Sequence, residues 1–103
     1  MSNYCIIGTG RQGTSTAYDI IKNLSPTRLK LVDANQENLD SCHKKLSSLT
    51  DFNSIELHCI DISDREKLSE ILTDVEIFLS AVSYKLNEYL TDIAILTSTN
   101  MVD

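Results

Sequence analysis

Two hydrophobic rhythms take turns along this chain, and few folds accommodate both. Tyr4 to Ile7 is a short apolar run that ends at a glycine, as a buried parallel strand reads. From Arg11 to Leu24 the period changes, with Ala17, Ile20, Ile21 and Leu24 on one helical face, until "LSPT" breaks the helix at Pro26. "RLKLVD" then predicts a second strand, and Gln36 to Leu49 a second helix with Leu39, Cys42, Leu46 and Leu49 three and four apart. "SIELHCID" predicts a third strand. In "SDREKLSEIL", Ser63 followed three residues later by Glu66 predicts a capping box opening a third helix. "VEIFLSAV" predicts a fourth strand, Leu86 to Leu96 a fourth helix, and "NMVD" the start of a fifth strand.

Strands that alternate with helices are parallel, because each return crosses the sheet through a helix, almost always with a right-handed crossover. The expected fold is α/β: a Rossmann-type doubly wound parallel sheet of about five strands with helices on both faces. A length of 103 residues suits one domain, and 42% apolar residues are enough for its core. Residues 1–103 are expected to be one dinucleotide-binding domain. Because the chain stops on or just inside a strand, it is expected to be a fragment of a longer two-domain protein.

The three glycines of the chain, Gly8, Gly10 and Gly13, all stand between the first strand and the first helix. A G-x-G-x-x-G pattern is weak evidence alone. Here a strand precedes it, a helix follows, and Asp33 closes the second strand 20 residues after Gly13. Gly8 can take the angles of a tight turn, Gly10 lets backbone approach a pyrophosphate, and Gly13 allows close helix–sheet packing. The N–H groups of Arg11, Gln12 and Gly13 then face the phosphates, aided by the helix dipole. The Gln12 side chain faces either ligand or solvent.

A carboxylate in the place of Asp33 accepts hydrogen bonds from the adenosine ribose hydroxyls and repels a 2′-phosphate, so NAD is preferred over NADP. Arg28 and Lys30 lie upstream in the strand, and no arginine directly follows Asp33. Ala34, next in the chain, belongs to the same edge. Asp61 and Ile62 follow the third strand, on the side that flanks an adenine in such sites, although a helix cap accounts for Asp61 equally well. Ser80, Ala81 and Val82 leave the fourth strand at the same edge, and their small size lets a cofactor lie close.

Other chemistries find little support. The net charge of −6 comes with nine scattered basic residues and no basic stripe, so no nucleic-acid partner is expected. No apolar run approaches the roughly 20 residues of a membrane span, and no signal peptide is visible, so a cytoplasmic protein without a membrane partner is expected. Cys5, Cys42 and Cys59 lack the spacing of a metal clip or redox motif and are expected to be buried, reduced thiols. His43 and His58 have no ligand-spaced partner. No catalytic residue and no metal site can be named.

The stretches "CIIGTGRQG", "LVDANQENLD", "CIDISDREKLSEIL", "IFLSAVSYKLNEYLTDIAI" and "NMVD" together resemble the N-terminal half of saccharopine dehydrogenase-like proteins, including lysine 6-dehydrogenase and relatives acting on amino acids and polyamines. In that family the fourth strand ends in small residues, then a proline and an aromatic, then an asparagine opening a helix. Tyr84 and Asn87 match the last two, while Ser83 stands where the proline would be. The resemblance implies the cofactor half of an oxidoreductase that moves hydride between a nicotinamide and the carbon of a C–N bond, as in lysine metabolism. The substrate domain and the catalytic groups would then follow Asp103. "GTGRQG" is also similar to the glycine loop of regulatory NAD-binding domains of potassium-transport proteins, which tend to have a glycine before the aspartate corresponding to Asp61. An exposed fifth strand would leave an edge open to a second copy, which allows a homodimer.

Overall fold

The computed structural model describes residues 3–80 and 100–102. Along the chain these form β1 (Asn3–Ile7), α1 (Arg11–Leu24), β2 (Arg28–Asp33), α2 (Gln36–Leu49), β3 (Ile55–Cys59), α3 (Arg65–Leu72), β4 (Ile77–Ser80) and β5 (Asn100–Val102). All strands are parallel, in the order β3-β2-β1-β4-β5. The expected doubly wound α/β sheet is present. The helix expected over Leu86 to Leu96 lies outside the described residues.

Side chains of successive strand residues point to opposite faces, and this divides the core in two. Ile6, Leu29 and Leu31 meet Ala17 and Ile20 of α1 and Leu39, Cys42 and Leu46 of α2 on one face. Cys5, Ile7 and Val32 meet Leu68, Ile71 and Leu72 of α3, with Val75 and Phe78, on the other. The central strands are covered on both sides, which is why β1 and β2 read as nearly unbroken apolar runs.

Lys30 is the polar exception within β2, only 6% exposed. Its ammonium group donates to the carbonyl of Ile71 at 2.8 Å and to the carboxylate of Asp74. It thus satisfies an end carbonyl of α3 and pairs its own charge. Asp74 also lies 3.8 Å from Arg28, whose Nε is 3.0 Å from Glu56. Both cations of β2 are therefore engaged away from the glycine loop.

Three local expectations are corrected. The cap of α3 is Asp64, whose side chain accepts from the Lys67 N–H at 3.2 Å, rather than Ser63. Ser63 instead donates its N–H and hydroxyl to Asp61, at 2.9 and 2.8 Å, so Asp61 makes a turn ahead of the helix and does not cap it. Cys5 and Cys42 are buried, but Cys59 is exposed, because β3 is an edge strand.

Candidate functional site

β1 is the switch point of the sheet. Its neighbours are β2 on one side and β4 on the other, and the helices associated with those two directions lie on opposite faces. The glycine loop leaves the carboxyl end of β1 at this point, where open α/β sheets hold their ligands. Ile7 pairs with Val32 and with Ser80, which sets Gly8 between the ends of β2 and β4.

The loop is shaped by its backbone. Gly8 adopts φ 94°, a left-handed value that a side chain would oppose, and its N–H donates to the Val32 carbonyl at 2.8 Å. A Cβ on Gly13 would fall on the carbonyl oxygen of Gly8, so α1 starts tight against the loop. Gly10 differs, since a Cβ there would meet nothing within 4 Å. The open side of the loop is thus at Gly10, at the N-terminus of α1.

Gly10 is also the N-cap of α1, and it offers no side chain to the first turn. The N–H groups of Arg11, Gln12 and Gly13 open the helix, and Arg11 and Gln12 are exposed. The first turn contains no acidic residue. An uncapped helix start behind an open glycine has the donors and the dipole to hold an anion, and its geometry fits a pyrophosphate.

Asp33 stands at the end of β2, half-buried, and its carboxylate is held by four donors. Oδ2 accepts from the Thr9 N–H at 2.9 Å, from the Thr9 hydroxyl at 2.9 Å and from the Asn38 amide at 3.5 Å. Oδ1 accepts from the Asn35 N–H at 2.9 Å. Partial burial opposes the charge, but the bonds from Thr9, Asn35 and Asn38 outweigh it and hold the carboxyl below its ordinary value. The ionised form is fixed in place beside the loop.

The Asn35 side chain caps α2 through the Asn38 N–H at 3.2 Å, which orients the helix so that Asn38 reaches Asp33. Between α1 and α2 runs a groove of about 240 Å³ next to Asp33, lined by Thr9, Gly10, Arg11, Thr14, Asn38, Ser41, Cys42 and Lys45. Thr9 and Asn38 were not expected at the site. Thr9 lies between the first two glycines, where its backbone alone attracts notice, and the aim of its hydroxyl depends on the fold.

Across the edge, the Ile60 N–H donates to the Asp33 carbonyl at 3.1 Å, which brings the chain after β3 beside β2. Ala34 is exposed, and its carbonyl accepts from the Cys59 thiol at 3.5 Å. Asp61 is exposed, and its bonds from the Ser63 N–H and hydroxyl lower its pKa. Ile62 packs against the α3-side core, so its side chain serves packing at this edge. Ser80 ends β4 beside Ile7, while Ala81 and Val82 lie outside the described residues. Among the described residues no cluster of histidine, cysteine, aspartate and glutamate could hold a metal ion, and no helix is long and apolar enough to cross a membrane.

Comparison with known proteins gives this edge its family. Residues 4–103 match the family described as the saccharopine dehydrogenase NADP binding domain. The chain belongs to that family. It is a domain for a nicotinamide dinucleotide, and the alternative resemblance to potassium-transport regulators gives way to this match. No match was found among curated proteins. Similar solved structures include saccharopine dehydrogenase (L-Glu forming) from Saccharomyces cerevisiae, with a TM-score of 0.72 and 16% identity over 98% of this chain and 21% of that one. A 3-hydroxyacyl-CoA dehydrogenase from Archaeoglobus fulgidus gives 0.70 and 22% identity over 98% of this chain and 33% of that one. Quinate dehydrogenase from Corynebacterium glutamicum, solved with NAD, gives 0.65 and 11% identity over 79% of this chain and 27% of that one. These likenesses show the fold. The saccharopine dehydrogenase-family domain spans between about a fifth and a third of each of these three chains.

Proposed function

We propose that this domain binds NAD in preference to NADP and serves an oxidoreductase acting on a C–N bond of an amino acid or polyamine. The observation that carries the cofactor preference is the Asp33 carboxylate, ionised and fixed beside the open glycine loop. Asp33 would accept from the ribose hydroxyls, and its charge would repel a 2′-phosphate. Arg28 and Lys30, the cations of the same strand, are paired elsewhere and do not offset that charge.

In this reading the N–H groups of Arg11, Gln12 and Gly13 hold the pyrophosphate, with Gly10 giving it room. Ala34, Asp61 and Ile62 form the adenine edge, and the small residues Ser80, Ala81 and Val82 would let the cofactor lie close. The cofactor supplies hydride chemistry when bound, while these residues bind and orient it. In this proposal the catalytic groups and the substrate site lie outside these cofactor-binding residues, as the resemblance to saccharopine dehydrogenase-like proteins implies. The substrate class is proposed from the resemblance carried by "SAVSYKLN" and "NMVD", not from the site geometry.

Titration of the chain with NAD and NADP by calorimetry or NMR tests the proposal. NAD is expected to bind with a Kd of about micromolar to millimolar and more tightly than NADP. D33A is expected to weaken NAD and to narrow the difference. Absence of dinucleotide binding, or an unchanged ratio in D33A, refutes the site. Tighter binding of NADP than NAD refutes the preference.

A further inference from the structure

We propose that Thr9 is the positioning residue that turns Asp33 into a filter between NAD and NADP. The inference rests on the reading of Asp33 as the ribose acceptor. A lone carboxylate at a strand end is a poor filter, because it can rotate away from a 2′-phosphate and solvate elsewhere. Asp33 has no such freedom. Thr9 grips Oδ2 with both its N–H and its hydroxyl, each at 2.9 Å, while the Asn35 N–H grips Oδ1 at 2.9 Å.

Thr9 is itself fixed. It is 2% exposed, and its carbonyl accepts from the Thr14 hydroxyl at 3.2 Å, which ties it to the first turn of α1. The carboxylate plane is therefore referenced to the glycine loop, the part of the domain that would set the position of the phosphates. Ribose hydroxyls meet an acceptor that is already oriented, and lose little in ordering it. A 2′-phosphate meets a charge that cannot withdraw. Of the remaining contacts, Asn38 is the weakest at 3.5 Å, so removal of the Thr9 hydroxyl leaves backbone N–H groups as the main restraint.

The test compares NAD and NADP affinities of the wild-type chain, T9V, T9S, D33A and the T9V/D33A double variant. A hydrogen bond to a charged group is strong enough that T9V is expected to lower the NAD-to-NADP affinity ratio about tenfold. T9S, which keeps the hydroxyl, is expected to keep the wild-type ratio. In the D33A background T9V is expected to change the ratio no further, since Thr9 acts through that carboxylate. Should T9V not fold, T9A removes the same hydroxyl without adding bulk and carries the same test. A wild-type ratio in folded T9V or T9A, or an equal loss in T9S, overturns the role of Thr9. If D33A itself leaves the ratio unchanged, it is the Asp33 site that fails instead.

Discussion

The carbonyl oxygen of Gly8 occupies the space that a Cβ on Gly13 would need, whereas the space in front of Gly10 is open. The two glycines thus serve different ends, and substitution separates them. G13A is expected to destabilise the domain by about 1–3 kcal/mol or more, as overpacking against backbone does. For a domain of this size each kcal/mol lowers Tm by about 4–8 °C. G10A meets no atom, so its cost is that of alanine at a helix start, about 1 kcal/mol. Its effect is expected on the proposed ligand, with NAD affinity reduced about tenfold or more, since the added methyl would stand where the pyrophosphate is proposed to approach. Thermal melts and NAD titrations of both variants check this. Equal stability of the two would contradict the packing role of Gly13.

Lys30, within β2, and Asp74 form the other polar anchor, away from Asp33. D74A removes the carboxylate from a nearly buried ammonium group and leaves it the Ile71 carbonyl. Asp74 is half exposed, so water partly compensates, and the expected loss is about 1–3 kcal/mol. K30M removes charge and partner demand together and is expected to cost less than D74A, because an apolar side chain of similar length suits the α3-side core. Urea denaturation of both variants decides the order. A larger loss in K30M would mean that the Ile71 bond, not the ion pair, matters most.

The central elements were the easiest to read from sequence. α1, β2 and α2 begin and end at the predicted residues, because Pro26, Asp33 and the three-and-four spacing of Leu39, Cys42, Leu46 and Leu49 mark them sharply. The edges were harder. The sequence pattern extends β3 through Asp61, but the strand ends at Cys59; hydrophobicity continues past the last ladder pair because Ile60 and Ile62 pack on the core from beyond the strand. The pattern starts β4 at Val75, which is buried, yet the Val75 N–H bonds to the Leu72 carbonyl in a turn and the strand begins at Ile77. Periodicity records burial, not hydrogen bonding, and it does not tell an edge strand from a central one. That is also why Cys59 was expected to be buried. At the site, Gly8, Gly10, Gly13 and Asp33 carry a spacing that points to their geometry. The grip of Thr9 on Asp33 joins residues 24 apart through one rotamer and has no counterpart in the pattern.

Acid stability follows from the carboxylates. Asp33 and Asp74 both titrate below the ordinary aspartate value of 3.8; the bonds from Thr9, Asn35 and Asn38 outweigh partial burial at Asp33, and the Lys30 hydrogen bond leads at Asp74. The folded state therefore binds fewer protons than the unfolded state between the lowered values and 3.8. Stability from both groups is fully present above 3.8 and is lost as pH falls through the folded values. Tm is expected to be flat with respect to these two groups near neutrality and to fall below about pH 4. D33N and D74N should each show a shallower acid decline than wild type. An acid decline of wild-type steepness in both variants would show that other groups govern it.

The three thiols should separate in reactivity. Cys59 is exposed at the end of β3, while Cys5 and Cys42 are buried. Burial pushes the Cys5 thiol up to about 12, with a smaller opposing effect from the charge of Lys30. Burial also raises Cys42, against a hydrogen bond with Thr14. Since the thiolate is the reactive form, an aromatic disulfide reagent at mild alkaline pH is expected to modify one thiol per native chain quickly, and the other two only in denaturant. C59S should abolish the fast phase. Cys59 pairs in register with Asp33 and bonds to the Ala34 carbonyl, at the edge assigned to the adenine. Saturating NAD is therefore expected to slow the fast phase several-fold without altering the slow ones. A fast phase that persists in C59S would contradict the burial of Cys5 and Cys42, and one untouched by bound NAD would move the adenine away from β3.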